Sequence, residues 1–400
     1  MRQRAVTGLF WILCVSAIAC GDDSETPSQG GAGAGGAGAG GAAEGGGDAT
    51  VGCDDASLIG NPAVTSERGP WAVGARTLSI GGLTAEVWYP AAPGSESGAE
   101  AVSYDVRAYL PALEAEKIAD ADAPRQACDC FRDLPIDDGH GPYPVIVFVH
   151  GTAGFRTQSL EITTHWASRG FVVVSADHPG LFLGDLITSL PMCPGDAPAQ
   201  DVPADITVLL DAIATPAGEL DFLAGNIDAS RIALAGHSAG GGAIEDFGDR
   251  ASVLMPMAAG GVSGGSLLES TLVLGAEEDQ VVSYSSQVSG YESSAAPKRL
   301  VGLSPAGHLA FSSLCAITNS AGDDIVTIGT EAEVCGLALA GALFDCEESY
   351  MAPARSWEIV NDVTSAVLEE TLHCAPARAD AFATLQDRFP EVSELREELE

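Results

Sequence analysis

Basic residues are scarce in this chain of 400 residues: 18 Lys and Arg stand against 56 Asp and Glu, a formal net charge of −38. A surface of that sign repels phosphate backbones and anionic headgroups, which argues against nucleic-acid partners and a polybasic membrane patch. No H-E-x-x-H occurs, and Cys128-Asp-Cys130 lacks the two-residue gap of a zinc knuckle, so no metal site and no cofactor are expected. No internal repeat is apparent. The one leader-like apolar run, residues 9–19, is too short to span a bilayer comfortably. Charge says nothing about fold, and an apolar share of 46% is enough for a large core.

The amino-terminal residues have the pattern of an export signal. Arg2 and Arg4 precede the apolar run, Ala17-Ile18-Ala19 fits small-x-small cleavage, and Cys20 follows at once. Signals that end in a small residue directly before Cys resemble those of bacterial lipoproteins, although Ala17 stands where Leu is usual. We therefore expect a signal over 1–19 and a lipidated Cys20, with simple secretion as the alternative. The Gly- and Ala-rich stretch that follows cannot bury enough apolar surface to order itself, so 20–55 is expected to be a flexible tether. Some thirty such residues reach roughly 30 Å, at 5–6 Å times √n. A folded domain over 56–375 and an acidic helical tail over 376–400 complete the expected organisation, an extracytoplasmic monomer touching a membrane only through its lipid.

Ten Cys are present. Cys14 leaves with the signal and Cys20 is set aside for lipid, so eight remain, enough for four disulfides in any of 105 connectivities. Export makes disulfides the default over metal ligation.

Alternation over 71–80 and 83–89 around Gly81-Gly82 predicts a β-hairpin. A polar insertion over 90–142, part helix at 106–118, comes next. Apolar runs at 145–149, 171–176, 232–235, 253–257, 272–274 and 300–303 read as strands buried on both faces. Helical patterns at 160–168, 205–214, 243–247 and 359–371 fall between most of them. The expected fold is α/β: eight strands in a mostly parallel sheet, helices on both faces, and disulfide-bearing loop insertions. Two further insertions, 178–203 and 311–357, leave from the carboxyl ends of strands, where open α/β sheets bind ligands.

The chemistry centres on Gly236-His237-Ser238-Ala239-Gly240, where an apolar run stops at a Ser flanked by glycines two residues away on each side. Strand, sharp turn with Ser, then helix is how a nucleophile elbow is written. The pattern recurs at Gly261-Val-Ser263-Gly-Gly265, but the next apolar run follows too soon for a helix. Ser238 passes this context test and Ser263 fails it. A Ser hydroxyl needs a base, and the base needs a carboxylate to fix its tautomer. Chain order Ser, acid, His selects Asp279 as the acid, with Glu277 and Glu278 as fallbacks, and His308 as the base. His237 is expected to pack under the turn, and His373 to be structural. Backbone N–H groups of Ala239 and, after His150-Gly151, of Thr152 are the expected oxyanion donors.

Taken together, Gly236-His-Ser-Ala-Gly-Gly241, His150-Gly151, Gly275-Ala-Glu-Glu-Asp279 and Gly307-His308 resemble the α/β-hydrolase superfamily. Glu86-Val-Trp-Tyr-Pro90, Phe155-Arg-Thr157 and Ala176-Asp-His-Pro-Gly180 resemble bacterial predicted dienelactone hydrolases and the related platelet-activating-factor acetylhydrolases. The segment from Ser238 to His308 is also similar to cutinase-like polyester hydrolases. Ser238 replaces the Cys nucleophile of true dienelactone hydrolases, so that reaction does not carry over. The resemblance implies an exported serine carboxylic-ester hydrolase working through Ser238, His308 and Asp279 on a small, lipid or polymeric ester. The alternatives are an amidase or peptidase with the same triad, or a catalytically silent tethered binding protein.

Overall fold

The computed structural model describes residues 50–337 and 344–400. The signal, Cys20 and residues 21–49 of the expected tether lie outside the described residues. Residues 50–55, expected to belong to the tether, are tied to the folded unit: β1 (Thr50–Val51) pairs with β2 (Leu58–Ile59), and Cys53 is bonded to Cys374. No helix among the described residues is long and apolar enough to cross a membrane.

The remaining strands are β3 (Val73–Ile80), β4 (Leu83–Pro90), β5 (Ala101–Asp105), β6 (Arg125–Arg132), β7 (Tyr143–Val149) and β8 (Val172–Ala176), followed by β9 (Ile227–His237), β10 (Val253–Met257), β11 (Ser270–Ala276), β12 (Lys298–Leu303) and β13 (Val392–Glu398). They form one sheet of eleven strands in the order β13-β12-β11-β10-β9-β7-β8-β4-β3-β6-β5. The eight expected strands occupy its centre, as a hairpin β3–β4 and a parallel run of β7 to β12. The expected count of eight needs correction, because three more strands join, and the sheet is mixed, with six of its ten pairings parallel.

Two of the extra strands, β5 and β6, come from the 90–142 insertion. Their buried residues alternate, with Val102 and Tyr104 on one strand and Gln126, Cys128 and Cys130 on the other, so both present one face to the core. The helix expected at 106–118 is reduced to the 3₁₀ turn Val106–Tyr109 and the single turn Ala112–Ala115. Pro111 lies between them and cannot continue a helical ladder. The third, β13, replaces only the end of the expected helical tail, whose first part is short helical turns. Pro390 stops the short helices Asp380–Ala383 and Leu385–Arg388, and the chain then runs antiparallel to β12. Its acidic side chains meet the few cations of that edge: Glu397 lies 3.0 Å from Arg299 and Glu398 3.3 Å from Lys298. The compact unit therefore continues to Glu400 instead of ending near 375.

Alternation along the central strands sorts the core into two layers. Ile146 and Phe148 of β7 pack with the helices Leu160–Ser168 and Pro353–Leu372, while Val145, Val147 and Val149 face the helix Val202–Ala214. A third apolar cluster is built from the insertions, and includes Tyr109, Phe155, Leu183, Leu309, Leu314 and Leu337. Cys193–Cys335 ties two of those insertions together, and Cys315–Cys346 closes one on itself. Cys128–Cys130, by contrast, sits within β6.

Candidate active site

The central parallel strands end along one line of the sheet. Val149 of β7 is in register with Gly236 of β9, and His237 with Met257 of β10, so the turns after β7 and β9 are neighbours. Ser238 stands at that turn with φ 56° and ψ −121°, and the helix Ala239–Ala243 starts directly after it. This helix begins four residues earlier than the helical pattern had suggested, because the turn launches it at once. A side chain at positive φ is strained and persists only where its surroundings over-determine it. The glycines supply the surroundings: a Cβ on Gly240 would come within 2.3 Å of the Val149 carbonyl oxygen, and one on Gly236 within 2.3 Å of the Gly240 oxygen. A Cβ on Gly151 would lie 3.0 Å from that of Ser238, which places the loop after β7 against the Ser. Ser263 lies exposed in an irregular loop with no helix after it, its hydroxyl donating to Asp246.

Asp279 and His308 meet as the chain order implies. His308 Nδ1 is 2.8 Å from Asp279 Oδ2, and both side chains are buried. The other carboxylate oxygen accepts the backbone N–H groups of Val281 and Val282, each at 2.8 Å. Gln287 Nε2 donates to Oδ2 at 2.9 Å. Four donors converge on this one carboxylate, so its orientation towards the imidazole is set. The fallback acids have other places. Glu277 is exposed, and Glu278 accepts from the Ser304 hydroxyl and the Ala306 N–H, fastening the loop that carries His308.

His237 packs beneath the turn. Its Nε2–H donates to the His308 carbonyl oxygen at 2.8 Å, and its Nδ1 accepts from Gln158 Nε2 at 3.0 Å. Burial, reinforced by the neighbouring His308, lowers its pKa to about 3, so the ring stays neutral and serves as a rigid strut. His150 behaves alike: burial, then His178, brings it to about 3, and it bridges the Gly151 carbonyl and the His178 N–H. His373 is buried against Phe171, far along the chain from the turn.

Thr152 and Ala239 lie on the two adjoining turns, both half-buried. Among the described residues, no protein acceptor takes the N–H of either one. The Gly151 N–H is by contrast occupied, donating to Gln158 Oε1 at 3.0 Å. Two free N–H groups beside a Ser are what a developing oxyanion requires. Neither the Ser238 hydroxyl nor His308 Nε2 has a hydrogen-bond partner among the described residues, and such bonds often tighten only when substrate binds. Ala153 and Leu309, next to Thr152 and His308, belong to the third apolar cluster, so the insertions wall the site on two sides. Among the described residues no group of three His, Cys, Asp or Glu side chains is placed to hold a metal ion.

Three supporting residues escaped the reading of the sequence. Gln158 joins the turn after β7 to His237, Gln287 clamps Asp279, and Asp345 accepts the backbone N–H groups of His308 and Leu309. A buried Gln at the mouth of an apolar helix is a visible signal for the first. The other two act across distances that no local pattern encodes.

Residues 105–180 match the family described as platelet-activating factor acetylhydrolase, isoform II, which lies within the α/β-hydrolase superfamily. The matched stretch holds β7, the turn with His150 to Thr152, and β8. No curated protein matches the chain.

Proposed function

We propose that the chain is a serine carboxylic-ester hydrolase with Ser238 as nucleophile, His308 as base and Asp279 as the acid that orients it. The observation that carries this reading is the His308–Asp279 contact of 2.8 Å, on a loop whose His308 carbonyl is bonded to His237, the residue just before a Ser held at positive φ. The family match over 105–180 supports the hydrolase class independently, since it covers none of those three residues.

With Nδ1–H committed to Asp279, the neutral imidazole keeps its lone pair on Nε2 and takes the Ser238 proton as Oγ attacks the ester carbonyl. The Thr152 and Ala239 N–H groups receive the oxyanion, each such donor contributing about 2.7–4 kcal/mol of transition-state stabilisation. The imidazolium, balanced by Asp279, protonates the leaving alcohol. Water then repeats the sequence and frees the acid. No cofactor enters.

Four disulfides are consistent with an extracytoplasmic protein. We extend the proposal to a monomer exported on the signal and held by lipid at Cys20, meeting a small, lipid or polymeric ester outside the cytoplasm. The test is labelling by a fluorophosphonate probe together with turnover of short p-nitrophenyl esters. Wild type should show both and Ser238→Ala neither; a folded wild type inert in both assays refutes the reading and favours a silent binding protein.

A further inference from the structure

The segment that carries Asp345 lies within the 311–357 insertion, outside the stretch that matches the family. Yet its carboxylate reaches the backbone of the loop bearing the base. One oxygen accepts the His308 N–H and the other the Leu309 N–H, the latter at 3.0 Å. Gly307 is moulded to the contact, since a Cβ there would lie 2.1 Å from Asp345 Oδ2. Burial raises the Asp345 pKa, while the two backbone donors and the His308 charge act in the opposite direction.

The loop needs such a cap because packing does not close around it. A cavity of about 330 Å³ borders it, lined in part by Gly307, Leu309, Asp345, Tyr350 and Met351. A loop beside empty space sags unless hydrogen bonds fix it, and two charge-assisted bonds from one rigid carboxylate fix two successive peptide groups. The adjoining residue, Cys346, is bonded to Cys315, a few residues beyond the loop on the other side. The carboxylate is thus fastened covalently to the chain leaving the element it caps.

We propose that Asp345 is a positioning residue for His308, held in place by the Cys315–Cys346 disulfide. It touches no reacting atom. Its two bonds set the height and angle at which the imidazole meets Asp279 on one side and Ser238 on the other. This rests on the ester-hydrolase reading above.

The test compares the full chain with Asp345→Ala and Asp345→Asn on p-nitrophenyl butyrate, with the fluorophosphonate labelling rate measured beside it. Misplacing a catalytic group by about 1 Å costs up to roughly 100-fold. Asp345→Ala should therefore lower kcat by about that factor with KM within about twofold, and slow labelling in step. Asp345→Asn keeps one acceptor and should fall between. Opening the clip with Cys315→Ser and Cys346→Ser together should lower kcat in the same direction. The inference is overturned if Asp345→Ala keeps kcat within about threefold of wild type, or loses activity through KM alone. Should Asp345→Ala fail to fold, Asp345→Asn decides, and a wild-type kcat overturns the inference. An inert wild type overturns the ester-hydrolase reading with it, whereas active wild type and unaffected variants overturn this inference alone.

Discussion

Replacing Asp279 by Asn tests the proposed base more sharply than removing it. The substitution keeps shape and volume, so the buried site need not collapse. Oδ1 receives the Val281 and Val282 N–H groups, which forces the amide oxygen of an Asn to that side. The amide NH₂ must then occupy the position of Oδ2, facing His308 Nδ1 at 2.8 Å and Gln287 Nε2 at 2.9 Å. Two N–H donors oppose each other at Gln287, and His308 Nδ1 must become an acceptor. The imidazole proton moves to Nε2, and a ring protonated there cannot take the proton of Ser238. In a serine protease the analogous change lowers kcat about 10⁴-fold. At about 1.36 kcal/mol per decade this corresponds to about 5 kcal/mol of transition-state stabilisation. Steady-state hydrolysis of p-nitrophenyl acetate at pH 7.5 measures it, with circular dichroism confirming the fold. A folded Asp279→Asn variant retaining more than about a tenth of wild-type kcat would falsify the tautomer argument.

Gly240→Ala drives a methyl group into the Val149 and His150 carbonyl oxygens, at 2.3 and 2.5 Å. Backbone cannot yield as a side chain can, so denaturant unfolding should show a loss of about 3 kcal/mol or more, or no soluble protein. Gln158→Ala strands the Gly151 N–H and His237 Nδ1 in the interior. It should cost about 1–3 kcal/mol per orphaned group in the same assay, and lower kcat by loosening the turn that bears Thr152. Acid should unfold the protein early. His150, His165, His237 and His373 are buried and lowered to about 3, whereas unfolded histidines titrate near 6.5. Between those values the unfolded chain binds more protons, so stability falls as pH drops through that window, by about 1.4 kcal/mol per pH unit for each histidine. Urea titrations at pH 7, 6 and 5 read this directly, and a flat profile contradicts the neutral buried rings.

The central sheet was legible because strands buried on both faces leave continuous apolar runs, as 145–149 and 253–257 do. The outer strands were not, because each has only one face to bury. The outward positions of β5 and β6 hold small or polar residues such as Ser103, Asp105, Arg125 and Asp129, and four of the seven residues of β13 are charged, which hides it until its pairing with Arg299 and Lys298 is known. The Ser, acid and His were legible for another reason: each follows a readable strand, and the parallel order of those strands brings their ends together. What holds the three in place was hidden. Gln287 and Asp345 act through contacts that exist only once the sheet has formed and the insertion has folded back across it.

The outermost strand has a consequence for when the proposed site can exist during synthesis. β12, which leads into the His308 loop, has β13 as its partner on one side, and the Ser304 N–H donates to the Glu391 carbonyl just before that strand. Ser238 and Asp279 are both made more than a hundred residues before β13. A nascent chain that has emerged only to the end of the helix Pro353–Leu372 would carry all three proposed catalytic residues beside an unpaired sheet edge. Such an edge invites pairing with the next chain. Activity and protection from aggregation should therefore arrive together, when residues 392–398 emerge and dock. Stalled chains released just before or just after that stretch would differ in both properties.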